Sequence, residues 1–274
     1  MKKFYYFVFV LVMSACSVTT EESTTSSGSS DGTASSPMEL TVGTAKSGGI
    51  AFNGYSYYKF TTSSTGAGNY KLAINSLVMT ESSSSIIVNT YLYSNSGYSG
   101  TGYLDSEYCA ASCTLYFNYE NRDASTTYYL RMYGYGKGTY TLNMQQGGSE
   151  GSKNNPVELT LSTAHTGGVE GYYYYWENRG DSYYKFTTTS ADNYTFSMNN
   201  SDSLDCYLLS NSAFSSLVSD THNGCTAGTN ISATFKGSSG TGLTANTTYY
   251  LLIEQQGSTA LTTTYDNMTV APEG

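Results

Sequence analysis

Four cysteines, Cys109, Cys113, Cys206 and Cys225, fall two to each half of the chain, and their chemistry is that of covalent cross-links. In an oxidising compartment they predict two intradomain disulfides, Cys109 with Cys113 closing a small loop and Cys206 pinning one strand to the loop around Cys225. A structural metal is the alternative use of four cysteines, but no Cys-x-x-Cys spacing supports it. His165 and His222 sit in no nucleophile-elbow context such as Gly-x-Ser-x-Gly. Glu158, Glu170, Glu177 and Glu254 carry no motif that ties two of them into an acid and a base. The chain is therefore expected to be non-catalytic. A different chemistry lies in five consecutive rings, Tyr172, Tyr173, Tyr174, Tyr175 and Trp176. Five neighbours cannot all point into one core. On a loop or hairpin they would make a stacking platform for a sugar ring or a collagen-like chain, unless alternate rings, Tyr173 and Tyr175, pack inward.

The amino terminus bears on the compartment. Residues 1–15 have a basic start, an apolar run from Phe4 to Val12 and small residues before Cys16, the plan of an export signal. The apolar run is too short for the roughly 20 residues of a membrane-spanning helix. Met13-Ser14-Ala15-Cys16 resembles the bacterial lipobox, which implies lipidation of Cys16 and attachment to a membrane. Ser17, where inner-membrane retention is associated with Asp, points to the outer membrane or cell surface. Residues 16–36, nearly all Ser, Thr and Gly with Glu21, Glu22 and Asp31, have almost nothing to bury, and a disordered tether is expected there. A net charge of −9 with only 12 Lys and Arg argues against a nucleic-acid partner. With 29 Tyr and a charged share of 12%, the surface is neutral and hydroxyl-rich, which suits extracellular binding.

The elements that must position these groups are written twice. Tyr57-Tyr-Lys-Phe-Thr-Thr62 returns as Tyr183-Tyr-Lys-Phe-Thr-Thr188, and Pro37-Met-Glu-Leu-Thr-Val42 as Pro156-Val-Glu-Leu-Thr-Leu161. Tyr91-Leu-Tyr-Ser-Asn-Ser96 pairs with Tyr207-Leu-Leu-Ser-Asn-Ser212, and Thr127-Tyr-Tyr-Leu130 with Thr248-Tyr-Tyr-Leu251. A period of about 120 residues is domain-sized, far beyond a solenoid repeat of roughly 20–50. The expected domains are residues 37–148 and 149–274. Within each, apolar and polar residues alternate with period two, so that Tyr58 and Phe60 face a core while Tyr57, Lys59 and Thr61 face outward. About seven to nine such strands per copy, separated by Gly, Ser, Asn and Asp turns, predict an all-β chain of two tandem antiparallel β-sandwiches with jelly-roll character.

The order Gly180-Asp-Ser-Tyr-Tyr-Lys-Phe, Asp192-Asn-Tyr-Thr-Phe-Ser-Met198, Ser201-Asp-Ser-Leu-Asp-Cys-Tyr-Leu-Leu-Ser210 and Thr247-Thr-Tyr-Tyr-Leu-Leu-Ile253 resembles the bacterial pre-peptidase C-terminal domain family. The first copy is similar through Tyr57–Thr62, Gly68-Asn-Tyr-Lys-Leu72, Tyr91-Leu-Tyr-Ser94 and Gly138-Thr-Tyr-Thr-Leu142. That resemblance implies a jelly-roll sandwich found beside secreted peptidases and in surface proteins. Through collagen-binding relatives it also implies a calcium ion at Asp181, Asp202 and Asp205 of the second copy, whose carboxylates are hard oxygen ligands. The first copy carries Val88, Asn89 and Thr90 near those places, which does not extend the site to it. The function expected is a lipid-anchored, surface-displayed lipoprotein whose sandwiches bind or adhere to a matrix protein or glycan. The alternatives are an accessory module for a secreted hydrolase and a structural spacer without ligand.

Overall fold

The computed structural model describes residues 30–82, 88–98, 103–174, 177–202, 204–218, 223–225, 228–237, 241–255 and 262–273. The export signal, Cys16 and His222 lie outside these residues. Among the described residues no helix is long and apolar enough to cross a membrane.

The chain is all-β. Its first half runs β1 (Met38–Glu39), β2 (Ala45–Ile50), β3 (Gly54–Thr61), β4 (Gly68–Ser82), β5 (Val88–Tyr93), β6 (Asp105–Cys109), β7 (Cys113–Arg122), β8 (Thr127–Gly134) and β9 (Gly136–Glu150). These make a five-stranded sheet, β1-β3-β8-β5-β6, and a four-stranded sheet, β2-β9-β4-β7. The chain crosses repeatedly from one sheet to the other, which is jelly-roll winding. The second half runs β10 (Val157–Glu158), β11 (His165–Glu170), β12 (Tyr172–Tyr174), β13 (Glu177–Arg179), β14 (Asp181–Thr187), β15 (Tyr194–Asn200), β16 (Leu204–Leu209), β17 (Asn223–Cys225), β18 (Gly228–Phe235), β19 (Thr248–Gln255) and β20 (Thr262–Pro272). It gives the same two sheets, β10-β14-β19-β16-β17 and β11-β20-β15-β18. The hairpin β12–β13 is an addition between the strands that correspond to β2 and β3.

Alternation decides what each strand buries. On β3, Tyr58 and Phe60 are buried and Tyr57 and Lys59 are turned outward; β8 and β19 alternate over their whole lengths. The two cores are stacked on aromatics, Phe60 against Tyr128 and Phe186 against Tyr249. The repeated Glu and Lys outside them form exposed pairs, Glu39 with Lys59 at 3.2 Å and Glu158 with Lys185 at 3.1 Å, of the kind that adds little stability. A disulfide between Cys109 and Cys113 joins the edge strands β6 and β7, and with them the two sheets. Cys206 is also disulfide-bonded, while the side chain of Cys225 is outside the described set.

Residues 30–36, expected within the tether, are instead bonded into the first sandwich. Asp31 accepts hydrogen bonds from Gly49 N (2.6 Å) and from the Tyr58 hydroxyl (2.7 Å). The Tyr58 hydroxyl lies 2.9 Å from that of Tyr140, which donates to the Gly49 carbonyl at 2.9 Å. Two phenols meeting inside a core must be hydrogen-bonded, because an unmet buried polar group costs about 1–3 kcal/mol. Composition hid this role. A Ser/Gly-rich segment has nothing apolar to bury, but it can carry one acid to a buried pair of phenols.

The second sandwich uses the same device. Glu150 accepts from Tyr184 (2.7 Å) and lies 2.8 Å from His165 Nε2. The Tyr184 hydroxyl meets that of Tyr265, which donates to the Gly168 carbonyl at 3.1 Å. Glu150 is the last residue of β9, so the first sandwich supplies the acid of the second. Beside it, Lys71 of β4 reaches Glu170 of β11 at 2.7 Å, and Gly148 N donates to the other Glu170 oxygen at 2.6 Å. Asn121 donates to the carbonyls of Gly151 and Asp181, each at 2.7 Å.

Candidate binding face

The outward residues of the central strands define one face on each five-stranded sheet. In the first sandwich the register sets three rows across β3, β8 and β5: Tyr55–Tyr133–Asn89, Tyr57–Arg131–Tyr91 and Lys59–Tyr129–Tyr93. Arg131 is at the centre. Its guanidinium carbon lies 5.4 Å from the Tyr55 ring, 5.1 Å from Tyr91 and 5.3 Å from Tyr93, within the range of cation–π attraction. Nη1 donates to the Tyr98 carbonyl at 3.4 Å. Around it the rings pair, Tyr55 with Tyr133 at 4.9 Å and Tyr91 with Tyr103 at 5.5 Å. Tyr55 is 44% exposed and Tyr103 46%.

One end of the face is closed by the turn that the repeated Ser-Asn-Ser builds. Asn95 Oδ1 accepts from Gly97 N at 3.0 Å, and Tyr98, at φ +45°, folds edge-on against Tyr57, Tyr93 and Tyr129. Burial pushes the Tyr98 hydroxyl up to about 12, with Tyr129 and Tyr57 adding to the rise. In the second copy Asn211 caps the same turn, and Phe214, at φ +51°, packs on Tyr183 at 4.8 Å and Tyr250 at 5.3 Å.

The corresponding rows of the second sandwich are Asp181–Glu254–Asp205, Tyr183–Leu252–Tyr207 and Lys185–Tyr250–Leu209. Leu252 replaces the central arginine, and Phe214 with Tyr183 and Leu209 makes a small second core. The first row is acidic. Glu254 is pushed up to about 7 by burial and by Asp181 and Asp205 on either side, against a hydrogen bond from Tyr207. Tyr183 donates to Asp181 at 2.7 Å and Tyr207 to Asp205 at 2.9 Å.

Of the residues the sequence singled out for calcium, Asp181 and Asp205 thus share a row on strands, with Glu254 between them. Asp202 is in the turn before β16, where its carbonyl accepts from Asn200 at 2.5 Å. Among the described residues, no three His, Cys, Asp or Glu side chains gather as a metal site. Of the aromatic run, Tyr172–Tyr174 form β12, with Tyr172 opposite Arg179, Tyr173 opposite Asn178 and Tyr174 opposite Glu177 of β13. Tyr175, Trp176 and the side chains of Tyr172, Tyr173 and Tyr174 are outside the described set. Sequence reasoning missed Arg131 and the rows around it. The signal was present in the outward set Tyr129, Arg131 and Tyr133 of one strand, but the neighbours that complete it come from strands far away in sequence.

Fold and face together define a pair of jelly-roll β-sandwiches whose two equivalent outer faces have diverged, one aromatic and one acidic. No protein-family model matches the chain, and no curated protein matches it. Among solved structures it is similar to a protein of Eubacterium rectale described as secreted, at 11% identity and a TM-score of 0.25, covering 89% of this chain and 82% of that one.

Proposed function

We propose that the protein is a non-catalytic, surface-displayed lipoprotein of the pre-peptidase C-terminal domain type, anchored through Cys16, whose first sandwich binds an extracellular matrix protein or glycan through the Tyr–Arg face. The observation that supports it most is the contrast at one position of the grid. Arg131 sits among the rings of Tyr55, Tyr91 and Tyr93, where the second copy has Leu252, while Tyr98 and Phe214 cover the same end of the two faces. Tyr55 and Tyr103 leave aromatic surface exposed beside Arg131, and exposed apolar patches mark interaction sites. The aromatic run Tyr172 to Trp176 is a second contact in this reading, and the surface is the outer membrane or cell surface. Retention of the chain on immobilised matrix proteins and glycans tests the proposal. Tyr91→Ala should reduce retention at least tenfold while lowering the melting temperature by only a few degrees. Undiminished retention by that variant would remove the face from the function.

A further inference from the structure

We infer that the ligand of the Tyr–Arg face is a neutral oligosaccharide lying across β3, β8, β5 and β6, with one pair of rings on each side of Arg131 under its sugar units. This rests on the reading of the face as a binding site and narrows it to one chemistry. The first argument is charge. The cations of the grid do not form a cluster: Arg131 lies among the rings of Tyr55, Tyr91 and Tyr93 with its Nε buried and Nη1 donating to the Tyr98 carbonyl, and Lys59 stands 3.2 Å from Glu39 in the row beside it. One exposed ion pair and one guanidinium sunk among rings give neither the clustered cations that select a carboxylate, sulfate or phosphate nor the clustered carboxylates that select a cation. The face therefore suits a ligand without charge.

The second argument is the mixture of apolar and hydroxyl chemistry. A pyranose has C–H faces and a rim of hydroxyls, and tyrosine offers the matching pair, a ring face and a phenol. Amides complete the rim. Asn53 Oδ1 accepts from Tyr133 at 3.1 Å, and Asn89 Nδ2 lies 3.5 Å from the Tyr91 hydroxyl, so amide and phenol groups stand together beside the rings, where sugar hydroxyls would meet them. The third argument is extent. Four adjacent strands span about 14 Å, long enough for several linked sugars rather than one. An extended peptide recognised by its backbone takes a sheet edge, where main-chain groups are free, and this site is on a sheet face.

The test is affinity electrophoresis of the full-length chain in a polyoxyethylene detergent, which carries no sugar. The gels contain a neutral β-glucan, a neutral α-glucan, galactomannan, xylan, polygalacturonate or gelatin. The expected result is retardation by at least one neutral polysaccharide, unchanged between low and high salt. Tyr55→Ala and Tyr103→Ala, both at half-exposed positions, should each weaken it at least fivefold with unchanged thermal melting. Arg131→Met, which keeps an apolar stem but not the guanidinium, should also weaken it, and Leu252→Ala in the second sandwich should not. Retardation by polygalacturonate alone, abolished by salt, would overturn neutrality. Retardation by gelatin alone, lost in Tyr55→Ala, would overturn the glycan while leaving the face as a binding site. If no probe retards the chain, the glycan inference fails. If a probe retards it and all three variants behave as wild type, the face itself fails.

Discussion

Asp31 has a task that its setting in a Ser/Gly-rich segment does not announce. Its carboxylate receives a phenol and a backbone amide, and behind that phenol stands a second one, Tyr140, pushed far from its ordinary titration range by burial. Asp31→Ala would leave the Tyr58 hydroxyl and the Gly49 amide without their acceptor. The loss expected is about 2–4 kcal/mol, read from urea unfolding, with Asp31→Asn losing less because an amide oxygen still accepts. The residue was invisible to composition because one buried acid leaves no periodic trace. The partner tyrosine was legible, since Tyr58 falls on the inward phase of Tyr57-Tyr-Lys-Phe-Thr-Thr62.

Among elements, the strand is the unit the sequence spells out and the register is the unit it withholds. Alternation in Tyr57–Thr62 and in Thr127–Tyr133 gives which residues face out, and the duplicated order gives the winding. It does not say that Asp181, Glu254 and Asp205 stand side by side, because cross-strand partners are chosen by turns and bulges elsewhere. That row makes stability depend on pH. Glu254 is held at about 7 in the folded protein against an ordinary 4.5, so the folded state binds its proton more tightly than the unfolded chain does. The contribution favouring the fold is full at acid pH and is lost as pH rises through about 7. Glu254→Gln, neutral throughout, should raise the melting temperature at pH 8 by a few degrees and change it little at pH 5. Glu107, also pushed up to about 7 by burial and by Asp105, leaves a residual slope of the same sign. A variant that melts lower at pH 8 would show that the Glu254 carboxylate is stabilising after all.

For the molecule as a whole, duplication in sequence is not independence in structure. Glu150 ends a strand of one sandwich and accepts the buried phenol of the other, and Lys71 crosses to a Glu170 side chain only 3% exposed. Unfolding followed by calorimetry should give one transition for the intact pair. Glu150→Ala should split it into two, with the second sandwich melting first, because that sandwich alone loses its acid. A single transition in that variant would place the coupling in the remaining contacts. The junction also has a mechanical meaning. Gly68 is paired with Glu150 on one side, while Glu150 N donates to Ser182 and its carboxylate holds Tyr184 on the other. A pull that separates the two sandwiches would be carried by bonds on both sides of Glu150 at once, so the joint behaves as a splice and not as a hinge.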